Sequence, residues 1–457
     1  MANPCSPQPT RQILRKRVSS RGEAGPLAAA AGTAVGLLLA SGTGLPPAKA
    51  SLNCFRFSNL LTCVAINANT AEANFTWKRE GSTEWGPWGT MGGRFSSAVS
   101  CVPHSDGFEC FGRGDNGHLF ARSYASSRAD AMVDRFSPPD GVWRDLGAPP
   151  TDGRGGLGEI VGDPSCVRIR NYLSCFTATN DGNFSRIDKG TPPPALGTFR
   201  PWTWLGRPNL VSSPACVVRP LPALEDSQIV CLGQRTDSIA YRTFSSRGEP
   251  TGDWNFISLA SLGLEFLRSG SSPIRCTASS SGAIACVLPN VVEPAGNLIE
   301  FSSAPSLSAA RVSTPRRVDE CFYSGASTLS CISLGSASRP IRSRLAPGAL
   351  TRLADGSWTF TGSLFTLPSP IPSGTAQCVS VRGGASTSAQ AECIISLFTN
   401  SGLATPMDNV AYSMGTWVGL TRSRPLTGPS GSIPGVVPFA LCDPTRFLAV
   451  PRAMNCL

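Results

Sequence analysis

Tryptophan and arginine side chains recur at similar positions along the chain, and this pair of residue types suits the binding of sugars. An indole ring can stack on the apolar C–H face of a sugar, and a guanidinium group can donate several hydrogen bonds to hydroxyl groups. The candidate stacking residues are Trp85, Trp88, Trp143, Trp202, Trp204 and Trp254, and the candidate donors are Arg113, Arg122, Arg186 and Arg242. In the alternative interpretation, each tryptophan fills the space between neighbouring structural units and each arginine lies solvated along a strand.

The position of each residue within its local motif favours one interpretation or the other. A Trp-x-x-Leu-Gly segment recurs, and the structural role is favoured for its tryptophan. Trp85 and Trp202 are expected to lie outside that position, which makes them the expected exposed platforms. Arg122, Arg186 and Arg242 are expected at one equivalent position of a third strand.

Cysteines are spaced in pairs, which predicts local disulfides. One of the 17 cysteines, Cys5, lies in an N-terminal leader and sixteen remain. The predicted pairs are Cys54 with Cys63, Cys101 with Cys110, Cys166 with Cys175, Cys216 with Cys231, Cys276 with Cys286, Cys321 with Cys331, Cys378 with Cys393, and Cys442 with Cys456. An even number, paired spacing and a secretory leader favour eight disulfides in an oxidising compartment. A zinc site would need Cys-x-x-Cys spacing or nearby histidines, so no metal is expected.

Catalytic motifs are weak in this sequence. Its two histidines, His104 and His118, fall in one repeat unit. A zinc site or a Ser-His-Asp triad would depend on one of them, and both are expected to be exposed turn residues. No glycine-rich loop precedes a helical pattern, so no nucleotide site or cofactor is expected. The sequence therefore predicts a protein that is not an enzyme.

Residues 1–50 are expected to be a secretory signal peptide. Arg11, Arg15 and neighbouring basic residues precede an apolar run, and the small-x-small sequence AKA ends at Ala50. The run is short for a membrane span and contains glycine, so secretion to the extracellular space or the periplasm is expected without a membrane anchor. The remaining chain carries a net charge of about +5 and no dense basic run, so nucleic acid is not an expected partner.

A unit repeated every 45–65 residues, counted between the first cysteines of successive pairs, determines the predicted fold. Each unit contains four strand-like segments, with the two cysteines in the first and second. A turn such as Asp115-Asn116-Gly117 then leads to the third segment, and Trp-x-x-Leu-Gly forms the fourth. Four antiparallel strands per unit without helical periodicity predict an all-β fold, a β-propeller with one disulfide per blade.

About seven blades are expected, and eight is the alternative. Seven units have all four segments, whereas the last one, residues 438–457, stops after its cysteine pair. This last hairpin would pack beside the first blade or cap the ring. Residues 51–457 are expected to form this single domain. A cross-strand disulfide predicts a Cα–Cα distance of about 5.5 Å.

The stretch from WGPWGTMGG at residues 85–93 to ECFGRGDNGHLFARS at residues 109–123 resembles the blade repeat of PLL-like (Photorhabdus-lectin-type) β-propeller lectins. The match extends over residues 85–264. The resemblance implies a secreted lectin with shallow glycan sites at blade edges and several sites per molecule. Multiple weak sites on one rigid ring would gain avidity on a glycan-covered surface.

Three function hypotheses follow. The first is multivalent carbohydrate binding without catalysis, with glycans or glycoconjugates as partners. The second is a secreted scaffold that binds a protein partner through variable loops, such as residues 125–140 or 303–317. The third is a polysaccharide hydrolase or lyase with its site in the central funnel.

Overall fold

The cysteine-containing segments form the first two strands of successive sheets, as their alternation of apolar residues predicts. The computed structural model describes residues 52–57, 59–67, 70–79, 86, 88–104, 107–125, 142–151, 156–190, 198–221, 227–264, 273–289, 291, 296–302, 307–323, 328–333, 348–353, 355–361, 373–380, 389–398, 407–413, 416–421, 427–428 and 431–432. Within these residues the fold is all-β apart from a single 3-10 turn, Ala260–Leu262.

Seven antiparallel sheets of four strands each follow one another, and the strands of every sheet are in sequence order. Sheet 1 contains β1 (Leu52–Phe57), β2 (Leu60–Ile66), β3 (Ala73–Arg79) and β4 (Gly89–Gly92). Sheet 2 contains β5 (Ser100–His104), β6 (Gly107–Arg113), β7 (Leu119–Ala125) and β8 (Arg144–Asp145). Sheet 3 contains β9 (Ile160–Ile169), β10 (Tyr172–Thr179), β11 (Phe184–Lys189) and β12 (Thr203–Trp204). Sheet 4 contains β13 (Ala215–Arg219), β14 (Gln228–Gln234), β15 (Ser238–Phe244) and β16 (Asn255–Ser258).

The later units, whose sequence motif is blurred, form the same kind of sheet. Sheet 5 contains β17 (Arg275–Ala278), β18 (Ile284–Val287), β19 (Leu298–Phe301) and β20 (Ala309–Val312). Sheet 6 contains β21 (Glu320–Tyr323), β22 (Leu329–Ser333), β23 (Gly348–Arg352) and β24 (Trp358–Thr361). Sheet 7 contains β25 (Ser373–Ser380), β26 (Ala389–Phe398), β27 (Met407–Ser413) and β28 (Thr416–Thr421), and a two-stranded hairpin, β29 (Thr427–Gly428) and β30 (Gly431–Ser432), follows it.

The first strands of the seven sheets form a closed ring. Each packs against the first strand of the next sheet, and β25 of sheet 7 packs against β1 of sheet 1. The sheets are therefore the blades of a β-propeller, with the first strand of each blade innermost. The expected fold class and the favoured number of seven blades are confirmed for the described residues. Residues 438–457 lie outside them, so the eighth unit stays a prediction, as does the leader at residues 1–50.

Seven of the eight predicted disulfides are present, and each joins the first two strands of one sheet. Their Cα–Cα distances are 4.0–4.1 Å, so the predicted 5.5 Å is wrong. The reason is that the paired cysteines lie directly opposite each other, and non-hydrogen-bonded antiparallel pairs approach more closely. The pair Cys442 and Cys456 lies outside the described residues. Such dense disulfides are typical of proteins from oxidising compartments.

Side chains that precede the first cysteine of several pairs connect neighbouring sheets. The backbone N–H of Cys101 donates to Asn53 Oδ1 at 3.1 Å. The same contact recurs from Cys166 to Ser100 at 3.2 Å and from Cys216 to Ser165 at 2.9 Å. Apolar clusters fill the space between sheets outside this ring. The innermost strands are therefore held by side-chain hydrogen bonds, and the surrounding packing is apolar.

Gln377 closes the ring between sheets 7 and 1. Its Oε1 accepts from the backbone N–H of Cys54 at 2.6 Å, and its Nε2 donates to the carbonyl oxygen of Cys54 at 3.3 Å. Gln377→Ala should lower the free energy of unfolding by about 1–2 kcal/mol, because two hydrogen bonds are lost. Guanidinium unfolding measures the loss. Asn53→Ala, which removes one such bond at the next junction, is the control. An effect of Gln377→Ala no larger than that of the control would contradict this role of Gln377 in ring closure.

Candidate functional site

The repeated tryptophans occupy the junctions between sheets. At three junctions the indole N–H donates to a backbone carbonyl of the preceding sheet, at the position of the Leu or Met in the Trp-x-x-Leu-Gly motif. These contacts are Trp143 to Met91 at 2.9 Å, Trp202 to Leu146 at 3.0 Å and Trp254 to Leu205 at 3.1 Å. Trp143 is buried, and Trp202 and Trp254 are half-buried. The interpretation as inter-blade packing residues fits all three.

Trp202 and Trp204 have exchanged their expected roles. Trp202 makes the repeated junction contact, so its expected placement as an exposed platform is wrong. Trp204, two residues later on β12, is 42% exposed, and its indole N–H bonds within its own sheet, to Asn183. The reason is that Trp202 begins a Trp-x-x-Leu-Gly segment that ends at Leu205 and Gly206, so it holds the junction position of Trp143, whereas Trp204 holds one of the variable positions of that segment. Trp88 is buried, and Trp85 lies outside the described residues.

Arg122 and Arg242 reinforce the same junctions. Arg122 Nη1 donates to the Met91 carbonyl oxygen, and Arg242 Nη1 donates to the Leu205 carbonyl oxygen at 2.7 Å. Arg242 Nε also donates to Gly252 at 2.8 Å, and burial lowers the pKa of Arg242. The donors of these two guanidinium groups are thus directed at the protein backbone.

Arg186 is not equivalent to Arg122 and Arg242, which corrects the expected alignment. Arg122 and Arg242 pair directly with the second cysteine of their sheets. In sheet 3 that position belongs to Ile187, and Arg186 pairs with Phe176. A one-residue shift turns a side chain to the opposite face of a sheet. Arg186 therefore faces sheet 4.

The surroundings of Arg186 leave it little access to solvent. Its side chain is 4% exposed, with Nε 2.8 Å from Asp188 Oδ2 and Nη2 3.5 Å from Glu249 Oε1. Burial raises the pKa of Asp188, and the charge of Arg186 acts in the opposite direction. The Arg186 guanidinium is thus paired with carboxylates of the protein inside the junction between sheets 3 and 4.

Arg113 connects sheet 2 to sheet 3. It lies at the end of β6, where Nη1 donates to the Ile160 carbonyl oxygen at 3.0 Å and Nη2 donates to that of Ser96 at 2.6 Å. Burial lowers the pKa of Arg113, while Asp163, Asp115 and other carboxylates act to raise it. Like Arg122 and Arg242, this predicted donor bonds to backbone carbonyls.

The exposed indole of Trp204 is held in a fixed orientation. Its Nε1 donates to Asn183 Oδ1 at 3.0 Å, and Asn183 Nδ2 donates to Asp181 Oδ2 at 2.6 Å. Thr179 also donates to Asp181. Partial burial acts to raise the pKa of Asp181, but the hydrogen bonds from Thr179 and Asn183 outweigh it, so the pKa stays below its ordinary value. The turn after β10 thus provides a rigid anionic support for the Trp204 ring.

Arg207 belongs to the same surface, and the sequence analysis missed it. Its Nε donates to the carbonyl oxygen of Asp181 at 2.8 Å, and the side chain is exposed. The sequence contains a signal that could have identified Arg207, because this residue directly follows Leu205 and Gly206, which end the Trp-x-x-Leu-Gly motif. Trp204 and Arg207 together offer an aromatic face and a charged donor at the outer edge of sheet 3. We call these two residues the Trp204 surface.

The two histidines do not form a recognisable reaction centre in the described part of the chain. His118 is half-buried, and its Nδ1 lies 3.0 Å from Asp145 Oδ2. Among the described residues, no group of three potential ligands could hold a metal ion. Within the same residues, no helix is long and apolar enough to cross a bilayer.

Comparisons with known proteins find partial likeness to solved structures and no matching sequence. No protein-family model and no curated protein matches the sequence. AofleA of Arthrobotrys oligospora aligns over 81% of this chain and 85% of its own, with 9% identity and a TM-score of 0.42. SapL1 lectin, solved with alpha methyl fucoside, aligns over 82% and 95%, with 11% identity and a TM-score of 0.42. A prolyl endopeptidase aligns over 80% and 47%, with 10% identity and a TM-score of 0.44. At these values no family is assigned, and the resemblance to PLL-like lectins stays a prediction.

Proposed function

We propose that the protein is a secreted carbohydrate-binding β-propeller that recognises glycans without catalysis, and that the Trp204 surface is one of its sugar sites. The observation that carries the proposal is the 42% exposed indole of Trp204, held by Asn183 at the outer edge of sheet 3. Because the hydrogen bond fixes the ring before a ligand arrives, stacking on a sugar costs little conformational entropy.

Arg207 complements the indole as a hydrogen-bond donor. Its Nε is taken by the Asp181 carbonyl oxygen, and its two terminal amino groups are suited to bond vicinal hydroxyl groups. A single site of this kind binds weakly. Further exposed aromatic residues on other blades would raise the avidity, and Phe256 of sheet 4, 51% exposed beneath the guanidinium of Arg235, is one of them.

Trp204→Ala should weaken binding of a neutral glycan by about tenfold, because it removes the stacking face. A glycan array of the disulfide-intact protein identifies the ligand, and isothermal titration calorimetry then measures the dissociation constant. Alpha methyl fucoside is the first monosaccharide to test, since SapL1 lectin was solved with it.

Two variants make the test specific. Trp204→Phe keeps an aromatic face but loses the bond to Asn183, so it should retain part of the affinity. Leu353→Ala removes an apolar side chain of similar exposure, 44%, from sheet 6 and should leave binding unchanged. Full affinity in Trp204→Ala would exclude Trp204 from the site. An array without any bound glycan would overturn the proposed function itself.

A further inference from the structure

Sheet 3 presents two cations toward sheet 2. Arg168 of β9 and Lys189 of β11 both lie opposite Leu173 of β10, and Lys189 is paired with Phe199. Residues directly opposite each other in antiparallel strands point to the same face. These four residues therefore form one row, and Leu173 packs in the apolar cluster shared with sheet 2.

Sheet 2 contributes one carboxylate and a third cation to the same junction. Glu109 of β6 is buried, and it contacts Lys189 Nζ at 2.8 Å. Ser123 Oγ donates to the same carboxylate at 2.9 Å. Arg144 of β8 is exposed, and its guanidinium carbon lies 5.9 Å from the centre of the Phe199 ring, while Lys189 Nζ lies 5.3 Å from it.

The charges at this junction do not balance. Arg144 and Lys189 lie against the Phe199 ring, and Arg168 lies further along the same row, beyond Leu173. Glu109 is the one carboxylate that the described residues place against these three cations. Arg168 Nη2 is 4.0 Å from Glu109, beyond hydrogen-bond distance, and its Nε has no hydrogen-bond partner. Burial lowers the pKa of Arg168, and Glu109 acts in the opposite direction.

The junction between sheets 5 and 6 pairs its charges more evenly. Between sheets 5 and 6, Arg352 donates twice to Glu300, at 2.7 and 2.8 Å. At the inner ring of that same junction Arg275 pairs with Glu320 at 3.1 Å. The excess of cations over carboxylates therefore distinguishes the junction between sheets 2 and 3 from that between sheets 5 and 6, and it is matched to a ligand that brings its own negative charge.

We propose that this junction binds the acidic group of an anionic glycan, a carboxylate or a sulfate, through Arg144, Arg168 and Lys189. The inference rests on the proposed carbohydrate binding and adds a substrate class to it. Arg144 is exposed, so it meets the ligand first. Arg168 and Lys189 lie deeper, and each has donors that Glu109 does not use. The Phe199 ring, which Arg144 and Lys189 both approach, offers an apolar edge to the attached sugar.

Calorimetric titrations with three oligosaccharides of equal length test the proposal: an oligogalacturonate, a sulfated galactan fragment and a neutral galactan fragment. The full-length, disulfide-intact protein should bind at least one acidic probe in low salt. Arg144→Gln and Arg168→Gln should each weaken that binding about tenfold, because one charge-assisted contact is lost. Arg247→Gln is the matched control, since Arg247 is an exposed arginine on sheet 4.

The outcomes separate this site from the Trp204 surface. Trp204→Ala should weaken binding of the neutral glycan found by the array and leave binding of the acidic probe unchanged. Arg144→Gln should weaken binding of the acidic probe and leave binding of the neutral glycan unchanged. No binding of either acidic probe would overturn the proposal. An equal loss in Arg247→Gln would also overturn it, since it would reveal attraction by net charge alone. If inorganic sulfate competes at the same concentration as the sulfated fragment, the site binds an anion without its sugar, and the assignment to a glycan is wrong.

Discussion

Trp143→Ala should lower the free energy of unfolding by about 3–5 kcal/mol, the range found when a large aromatic side chain is removed from a core. Trp143 is 9% exposed, and its ring meets Phe95 edge-on with centroids 4.5 Å apart. Its indole N–H donates to the Met91 carbonyl oxygen of sheet 1. The substitution would open a cavity between two blades and would remove this bond. Repacking of the neighbouring side chains into the cavity would reduce the loss of stability.

Chemical unfolding monitored by circular dichroism measures the effect, with Trp204→Ala as the matched control. Because Trp204 is 42% exposed at an outer edge, its removal should cost less than about 1 kcal/mol. The two tryptophans would then have different roles, since Trp143 supports the fold and Trp204 is available to a ligand. Equal destabilisation by the two substitutions would contradict this division of roles.

The blade repeat could be predicted from the sequence because local features specify each blade. Cys101 and Cys110 form a disulfide within one hairpin, and Gly117 takes a positive φ of 75° in the turn before β7. Both features depend on residues close together in the chain. They could therefore be predicted without knowing how blades meet, and the weak later units still formed sheets because they kept the cysteine pair.

Features that depend on register or on contacts between blades could not be predicted. A shift of one residue in β11 placed Arg186 on the opposite face from Arg122, although both follow similar turns. Lys189 and Glu109 are 80 residues apart in sequence, and no local pattern indicates that they meet. The Trp204 surface was found only in part for the same reason. Trp204 was among the candidates, but its exposure depends on how β12 pairs.

Acidification should stabilise the junction between sheets 5 and 6, because of Glu320 at the inner ring. Glu320 precedes Cys321, at the position where Asn53 and Ser100 make neutral hydrogen bonds to the next sheet. Burial raises the pKa of Glu320 to about 7, Arg275 acts to lower it and Asp319 acts to raise it. Besides β17, which carries Arg275, the elements packed against β21 include β18, β22 and β25, whose sequences contain no charged residue.

The sign follows from proton uptake. Between pH 4.5, the ordinary pKa of a glutamate, and about 7, folded Glu320 holds a proton that the unfolded chain has released. The free energy of unfolding therefore falls as the pH rises through this window, by about 2–3 kcal/mol in total if Glu320 acts alone. Neutral glutamine should replace the protonated form well, so Glu320→Gln should remove this part of the pH dependence and stabilise the protein at neutral pH.

Unfolding midpoints in guanidinium chloride across this pH window test the expectation, with Glu300→Gln as the control. Glu300 is also a partner of an arginine in the same junction, and it is half-buried. Hydrogen bonds from Arg352 and Tyr323 outweigh its partial burial and keep its pKa below the ordinary value. Glu300→Gln should therefore lower the free energy of unfolding at neutral pH and leave the pH dependence that Glu320 causes unchanged. The same slope in wild type and Glu320→Gln would show that another group titrates. If the pH dependence disappeared in Glu300→Gln instead, the titrating group would be Glu300, bonded to Arg352 and Tyr323. The inner ring would then be insensitive to pH.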